Sequence, residues 1–320
     1  MKRLALEVLQ PGLLATVQDL GRHGYQQYGM VVSGAMDAFS LQVANLLVGN
    51  PRGEAALEIA MRGPLLRARD DLLLALCGAD LGATWAGRPA PRWKSFRIRK
   101  GEELAFPGPP QGAWAYLAVA GGWGVEEVLG SKSTYLHGVL GGLQGRSLAQ
   151  GDLLEAGTLP ASQNPREGRG LASSEVPVYG RRAEARVVLG PQEEAFSQAA
   201  LKTFLSGEYV VTAQSDRMGY RLQGPAIELQ DRTEMLSDAV APGSVQVLPS
   251  GQLIVMLADR QVTGGYPKIA TVISTDLPKL AQLLPGGSAS FRVLELDAAQ
   301  DLAAAQERLL QTLQAGCGGR

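Results

Sequence analysis

The chain has 320 residues, with 30 lysines and arginines against 31 aspartates and glutamates. At roughly 150 residues per domain that length predicts two compact units, and the cancelled charge leaves no global field to hold a nucleic-acid backbone or an anionic membrane surface. Glycine is the outlier at 40 of 320 residues, in a chain that keeps 45% hydrophobic residues; the usual glycine share is ~7%, so the excess is expected in turns and backbone-lined sites of a folded protein.

In chain order, the first apolar run, residues 4–9, reads as a strand, because Glu7 interrupts it and no small-residue cleavage pattern follows. Residues 17–37 show no period and read as a loop. Residues 37–48 place Phe39, Val43, Leu46 and Leu47 on one helical face, with Asp37 as N-cap and Gly49 just past the end. Runs at 72–76, 96–99, 114–120, 186–189, 209–212, 245–248, 253–257 and 290–296 read as short strands bounded by Gly, Pro or Asp. A second helix is predicted over 192–205, after Pro191 and with Glu193 and Glu194 in its first turn. A third starts at Asp297, along Leu302, Gln306, Leu309 and Leu313. The uncharged runs 104–125 and 239–258 are long enough to span a bilayer but are broken by Pro and Gly, so neither reads as a membrane helix.

Residues 158–180 are rich in Pro, Gly, Ser and charge and read as a linker. The expected domains are therefore 1–160, a linker over 161–183, and 184–320, two β-barrels of similar construction, with strands free to cross between them. The fold class is mainly β with a few helices.

Polar residues concentrate in glycine-punctuated loops. The first holds Asp19, Arg22, His23, Tyr25, Ser33 and Asp37 among Gly21, Gly24, Gly29 and Gly34. A loop of that length inside a compact domain is usually functional, although an ordered Ω-loop with Asp19 and Arg22 paired for structure fits the same residues. The second clusters Ser131, Lys132, Ser133 and Thr134, three hydroxyls around a cation, which suits a carboxylate or phosphoryl group or forms a solvated turn. The spacing around GSKST does not match a Walker A loop. The third and fourth carry Asp216-Arg217 and Asp259-Arg260. Neighbours on a strand face opposite ways, so each pair is expected to split between two partners.

Two histidines, His23 and His137, exclude a histidine-rich metal site, and the absence of G-x-S-x-G leaves a Ser-His-Asp triad unsupported. No G-x-G-x-x-G opens a helix after a strand, which removes a Rossmann site. Two cysteines, Cys77 and Cys317, are too few for a disulfide framework or structural zinc and point to a reducing cytoplasm. Cys77 follows LLLAL and reads as a buried inert thiol.

Six segments in series, TVQDLGRHGYQQYGMVVSGAMDAFSLQVANLLVGN, AVAGGWGVEEVLGSKST, GGLQGRSLAQGD, SDRMGYRLQGP, SDAVAPGSVQV and ADRQVTGGYPKIATV, resemble the carboxyltransferase-type family. That family includes the C subunit of 5-oxoprolinase, KipA-like antagonists, allophanate-hydrolase subunit 2 proteins and the carboxyltransferase domain of urea carboxylase. The resemblance implies two cyclophilin-like β-barrel domains. It implies the C subunit of a cytoplasmic 5-oxoprolinase complex, whose other members are a KipI-like B subunit, together with an A subunit. That complex would cleave the lactam 5-oxo-L-proline to L-glutamate with ATP as co-substrate, together with Mg. Its chemistry would be phosphorylation of the lactam oxygen followed by attack of water. No covalently bound biotin is expected, since the only Met-Lys is Met1-Lys2. The same resemblance leaves two alternatives: a non-catalytic KipA-like antagonist binding a KipI-like inhibitor, and a carboxyltransferase served by carboxybiotin on a separate carrier. The site it implies takes Asp19, Arg22, Asp216, Arg217 and Asp259 as catalytic residues. It implies Ser33, Lys132, Ser133, Thr134, Arg260, Gly264, Gly265 and Tyr266 as substrate-binding residues. His23 stands where the family often has proline and Lys132 where arginine is common; the lysine keeps the charge and loses the two-point fork.

Overall fold

The computed structural model describes residues 2–158, 166–230 and 235–317. The chain divides into two compact units, one made of Met1–His23, Ser33–Val178 and Arg308–Arg320, the other of Gly24–Val32 and Tyr179–Glu307. Of the expected linker, residues 161–165 lie outside the described residues. Just beyond them the chain is tied down: Ser95 Oγ donates to Arg166 O (3.1 Å) and Arg169 N donates to Ser95 Oγ (3.1 Å), so this stretch runs along the edge strand Lys94–Ile98.

The first unit holds two sheets. One orders its six strands Leu153–Gly157, Lys2–Gln10, Leu65–Ala68, Glu103–Ala105, Thr84–Trp85 and Arg88–Pro89. The other orders Leu14–Gln18, Ala56–Ala60, Gln111–Val119, Leu72–Asp80 and Lys94–Ile98. Leu6, Val8, Leu57, Ile59, Leu66, Leu74, Leu76, Leu104 and Leu117 are among the residues of both sheets that meet in one core. Helix α1 (Ala38–Leu47) packs on the second sheet, which is why Leu72–Asp80 and Gln111–Val119, covered on both faces, read as continuous apolar runs rather than alternating ones. Asp37 caps α1, accepting from Ser40 N (3.0 Å) and Ser40 Oγ (2.7 Å).

The second unit is a closed seven-stranded barrel, in the order Arg182–Leu189, Lys268–Val272, Ser244–Val247, Leu253–Met256, Gly219–Gln223, Tyr209–Val211 and Ser288–Val293. Its first and last strands pair in parallel, Arg182 opposite Ser288 through Val187 opposite Val293, and that pairing closes the barrel. A ribbon of two short strands, Asp238–Ala239 and Thr263–Gly264, stands apart from the barrel ladder. Helix α2 runs over Gln198–Ser206 rather than from residue 192. Residues 193–195 make a single 3-10 turn, Phe196 is then taken by an antiparallel bridge with Leu229, and Gln230 N donates to Ala195 O (3.0 Å), so the α-helix is interrupted at Phe196 and Ser197 becomes its N-cap. Phe204 of α2 stacks on Phe291 at 4.7 Å. A short helix α3 (Leu277–Ala281), not anticipated from sequence, begins with Pro278 in its first turn. The last helix, α4, spans Leu296–Cys317. No helix among the described residues is long and apolar enough to cross a membrane; the runs 104–125 and 239–258 are strands and turns.

Candidate functional site

In the first unit the structure gathers Asp19, Arg22, Ser33, Lys132, Ser133 and Thr134. Strand Leu14–Gln18 delivers Asp19 against the loop that follows Val128. Asp19 Oδ1 accepts from Gly21 N (2.8 Å), Ser131 Oγ (2.7 Å) and Ser133 Oγ (2.6 Å), and its Oδ2 accepts from Lys132 N (2.6 Å). A carboxylate offers about four acceptor positions, so four protein donors occupy this one. Ser133 Oγ also accepts from Asp19 N (3.0 Å), and Thr134 Oγ1 donates to Val17 O (3.0 Å). Ser33, held at φ 59°, donates to Thr134 O (3.2 Å). Arg22 is fully buried, donating from Nε to Val128 O (2.8 Å) and from Nη2 to Ser133 O (3.0 Å). A Cβ on Gly141 would lie 2.1 Å from Ser133 O and 2.8 Å from Arg22 Nη2, so only glycine fits. Lys132 Nζ pairs with Glu54 Oε1 at 2.6 Å. The Asp19 carboxylate and the serine and threonine hydroxyls are turned onto one another and onto backbone, and the bonds they make fix the course of the loop.

In the second unit the two Asp-Arg pairs split as expected. Arg217 pairs across to Asp259, Nε to Oδ2 at 2.9 Å and Nη2 to Oδ1 at 3.1 Å, in a buried two-point bridge. Asp216 instead accepts from Met218 N (2.8 Å) and Gly219 N (3.3 Å), closing the turn into strand Gly219–Gln223. Arg260 is buried too, but its partners are carbonyls: Nε donates to Val240 O (2.9 Å) and Nη1 to Leu257 O (3.3 Å). No carboxylate among the described residues pairs with it, and burial lowers its pKa from the ordinary guanidinium value.

Around the ribbon the structure assembles residues that sequence reasoning passed over. Val245 and Val247 point into the barrel core, so alternation turns Gln246 outward. The register then slips, pairing Gln246 with Lys268 and leaving one extra residue on the Lys268–Val272 strand, the kind of bulge that re-aims side chains. Both residues are buried. The Lys268 ammonium reaches Asp238 Oδ2 at 3.0 Å; its side chain is 4% exposed and that of Asp238 55%. The hydrogen bond from Lys268, with another from Ala239 N, holds the Asp238 carboxyl below its usual range. Gln246 Nε2 is buried without a hydrogen-bond partner among the described residues. Gly264 lies over it: a Cβ there would come within 2.8 Å of Gln246 Nε2 and 3.2 Å of Gln261 Nε2. Gly265 follows on this ribbon, and Tyr266 is partly exposed next to it. The signal in the sequence was a glutamine inside SVQV and a lysine opening KIATV, neither legible as a pair until the register is known.

Architecture and site together define a mainly β chain of two units, one a closed barrel carrying a donor-rich patch beneath a ribbon. The chain belongs to the carboxyltransferase domain family, subdomain A and B, whose profile matches residues 28–293. It is 38% identical to the 5-oxoprolinase C subunit of Escherichia coli over 314 residues, covering 96% of this chain and 97% of that one. The solved structure of TTHA0988 is similar at TM-score 0.81 and 38% identity over 90% of this chain, which spans 55% of that longer chain. The Kluyveromyces lactis urea amidolyase matches at TM-score 0.92 and 28% identity over 98% of this chain and 20% of its own.

Proposed function

We propose that this chain is the C subunit of an ATP-dependent 5-oxoprolinase complex, working with the A subunit, and with a KipI-like B subunit, to open 5-oxo-L-proline to L-glutamate. The observation that carries the reading is the end-to-end 38% identity with a protein bearing that name. The substrate is a small polar lactam, and the second unit offers donors for it: Arg260, a buried guanidinium with no carboxylate partner among the described residues, bonds Val240 O beside the ribbon, and Gly264, Gly265 and Tyr266 follow along the chain. On this proposal Arg260, Gly264, Gly265 and Tyr266 hold the organic substrate. Asp216, Arg217 and Asp259 hold the turns that present them, while Asp19, Arg22, Ser33, Lys132, Ser133 and Thr134 hold the loop of the first unit. ATP and Mg enter as co-substrate and counter-ion.

The test is to purify the chain with its chromosomal neighbours and follow ADP and glutamate release with 5-oxoproline. Glutamate formation that needs all three subunits is the expected result, and its absence from an intact complex overturns the reading. A second reading, carboxyl transfer from a biotin on a separate carrier, is favoured by the fit to urea amidolyase. It predicts turnover of urea when a biotin carboxylase and carrier replace the oxoprolinase subunits.

A further inference from the structure

We infer that Lys268 and Gln246 form the seat of the substrate carboxylate, and that Asp238 occupies this seat until the substrate displaces it. The inference rests on the oxoprolinase reading above and names a part of its site that the sequence did not single out. Three observations converge. Lys268 is a buried ammonium whose carboxylate partner is itself more than half exposed, on a ribbon outside the barrel ladder. A buried charge needs a counter-charge, and Asp238 shows that the place beside Nζ accepts a carboxylate. Gln246, paired with Lys268 in the ladder, has a buried Nε2 with no acceptor among the described residues, and an unmatched buried donor is costly unless something completes it. Gly264 lets the ribbon lie directly on that amide, where a side chain would collide.

The groups facing the seat are Asp238 and Gly264 from the ribbon, with Gln261 beside it, and Gln192, whose Oε1 accepts from Lys268 N (3.2 Å) and whose side chain also bonds Asp238. Apart from Asp238, these leave an excess of donors over acceptors. On this inference a ligand carboxylate takes the place of the Asp238 carboxylate on Lys268 Nζ, releasing Asp238 to water, and Gly264 moves off Gln246 Nε2 so that this amide donates to the second oxygen.

The decisive experiment uses the assembled three-subunit complex carrying Lys268→Met, Gln246→Leu or Asp238→Asn, with steady-state kinetics and calorimetric binding of 5-oxoproline. For Lys268→Met we expect KM and Kd to rise about 10- to 100-fold, the scale of a lost charge-assisted hydrogen bond. Lys268→Arg should restore part of the loss, and Gln246→Leu should show a smaller rise. Asp238→Asn is the discriminating variant. If Asp238 competes with substrate for the ammonium, its loss lowers KM by a factor of about 2 to 5, the scale of an exposed ion pair; a purely structural ion pair gives no tightening. A wild-type complex that releases glutamate while Lys268→Met leaves KM and Kd unchanged, or Asp238→Asn fails to tighten binding, overturns the seat and leaves the oxoprolinase reading standing. A wild-type complex that releases no glutamate overturns both.

Discussion

Two polar clusters in this molecule look alike in one dimension and differ in three. Around Asp19 the carboxylate is filled by four donors and the hydroxyls of Ser133 and Thr134 are bonded to protein, while Gln18 Oε1, whose amide nitrogen donates to Thr134 O, is buried with no donor among the described residues. Around Lys268 the unmatched group among the described residues is a donor, Gln246 Nε2, beside a buried ammonium whose partner carboxylate is more than half exposed. Both contain the residue types that catalysis favours. Composition marks where a polar cluster lies; what separates the two is that the Asp19 carboxylate is locked by donors from its own loop, whereas the carboxylate on Lys268 is more than half open to water.

The contrast breaks most sharply at the buried bridge between Arg217 and Asp259. Asp259→Ala leaves a buried guanidinium unpaired and should cost about 3–5 kcal/mol, read from urea unfolding of the purified chain. The double change Arg217→Met with Asp259→Leu should recover most of that loss, because it removes both charges at once. Next in size is Asp19→Ala, which leaves buried donors facing nothing and should cost about 2–3 kcal/mol, with glutamate release per folded complex held within about twofold. If stability is unmoved and turnover vanishes, the first cluster is a reaction site and the contrast fails. A third effect depends on pH. Asp276 is buried, and desolvation alone would raise its pKa, but bonds from Arg186 Nε and Nη2 (both 2.7 Å) and from Lys279 outweigh this and hold it below the usual range. A carboxyl depressed in the folded state stabilises fully above its unfolded pKa, roughly 3.9, and that contribution disappears as pH falls through the folded value. Asp276→Asn should therefore cost about 1–2 kcal/mol at neutral pH and flatten the acid limb of the stability curve below about pH 4.

Much of the fold was legible in the sequence because its signals are local. Asp37 announced the start of α1, and five of the seven barrel strands fell within a few residues of the predicted runs, while Gly219–Gln223 and Lys268–Val272 were not read as strands. The start of the helix placed at 192–205 was not legible, since a bridge from Phe196 to the distant Leu229 decides it. The clusters follow the same division. The Asp-Arg neighbours split as expected, with Arg217 reaching Asp259, but the reason offered by the sequence, strand alternation, does not apply: both pairs lie in turns beside Gly219–Gln223 and Leu253–Met256, where the turn bonds separate them. Lys268 and Gln246 stayed hidden because their partnership depends on a register slip between two strands, a property of pairing rather than of either segment. The serines of the 131–133 loop suit either a ligand or a turn in the sequence, which cannot show that Asp19 accepts from both of them.

The smallest expected effect tests whether the Asp19 network enforces the loop it closes. Val139 sits in that loop at φ 50°, with 71% of its surface exposed. A β-branched residue in the left-handed region is an outlier, disfavoured by about 1–2 kcal/mol relative to ordinary backbone, and an exposed valine gains little from burial in return. Glycine relieves the strain but loses about 0.5–1 kcal/mol through the freedom it gains when unfolded. Val139→Gly should therefore stabilise the chain by about 0.5–1 kcal/mol, raising the thermal midpoint by roughly 1–4 °C. In the Asp19→Ala background the loop is free to relax, so the same substitution should gain less. A coupling near zero in that double-mutant cycle would mean that Val139 keeps its conformation without Asp19, and that the four bonds on the carboxylate hold only their own end of the loop.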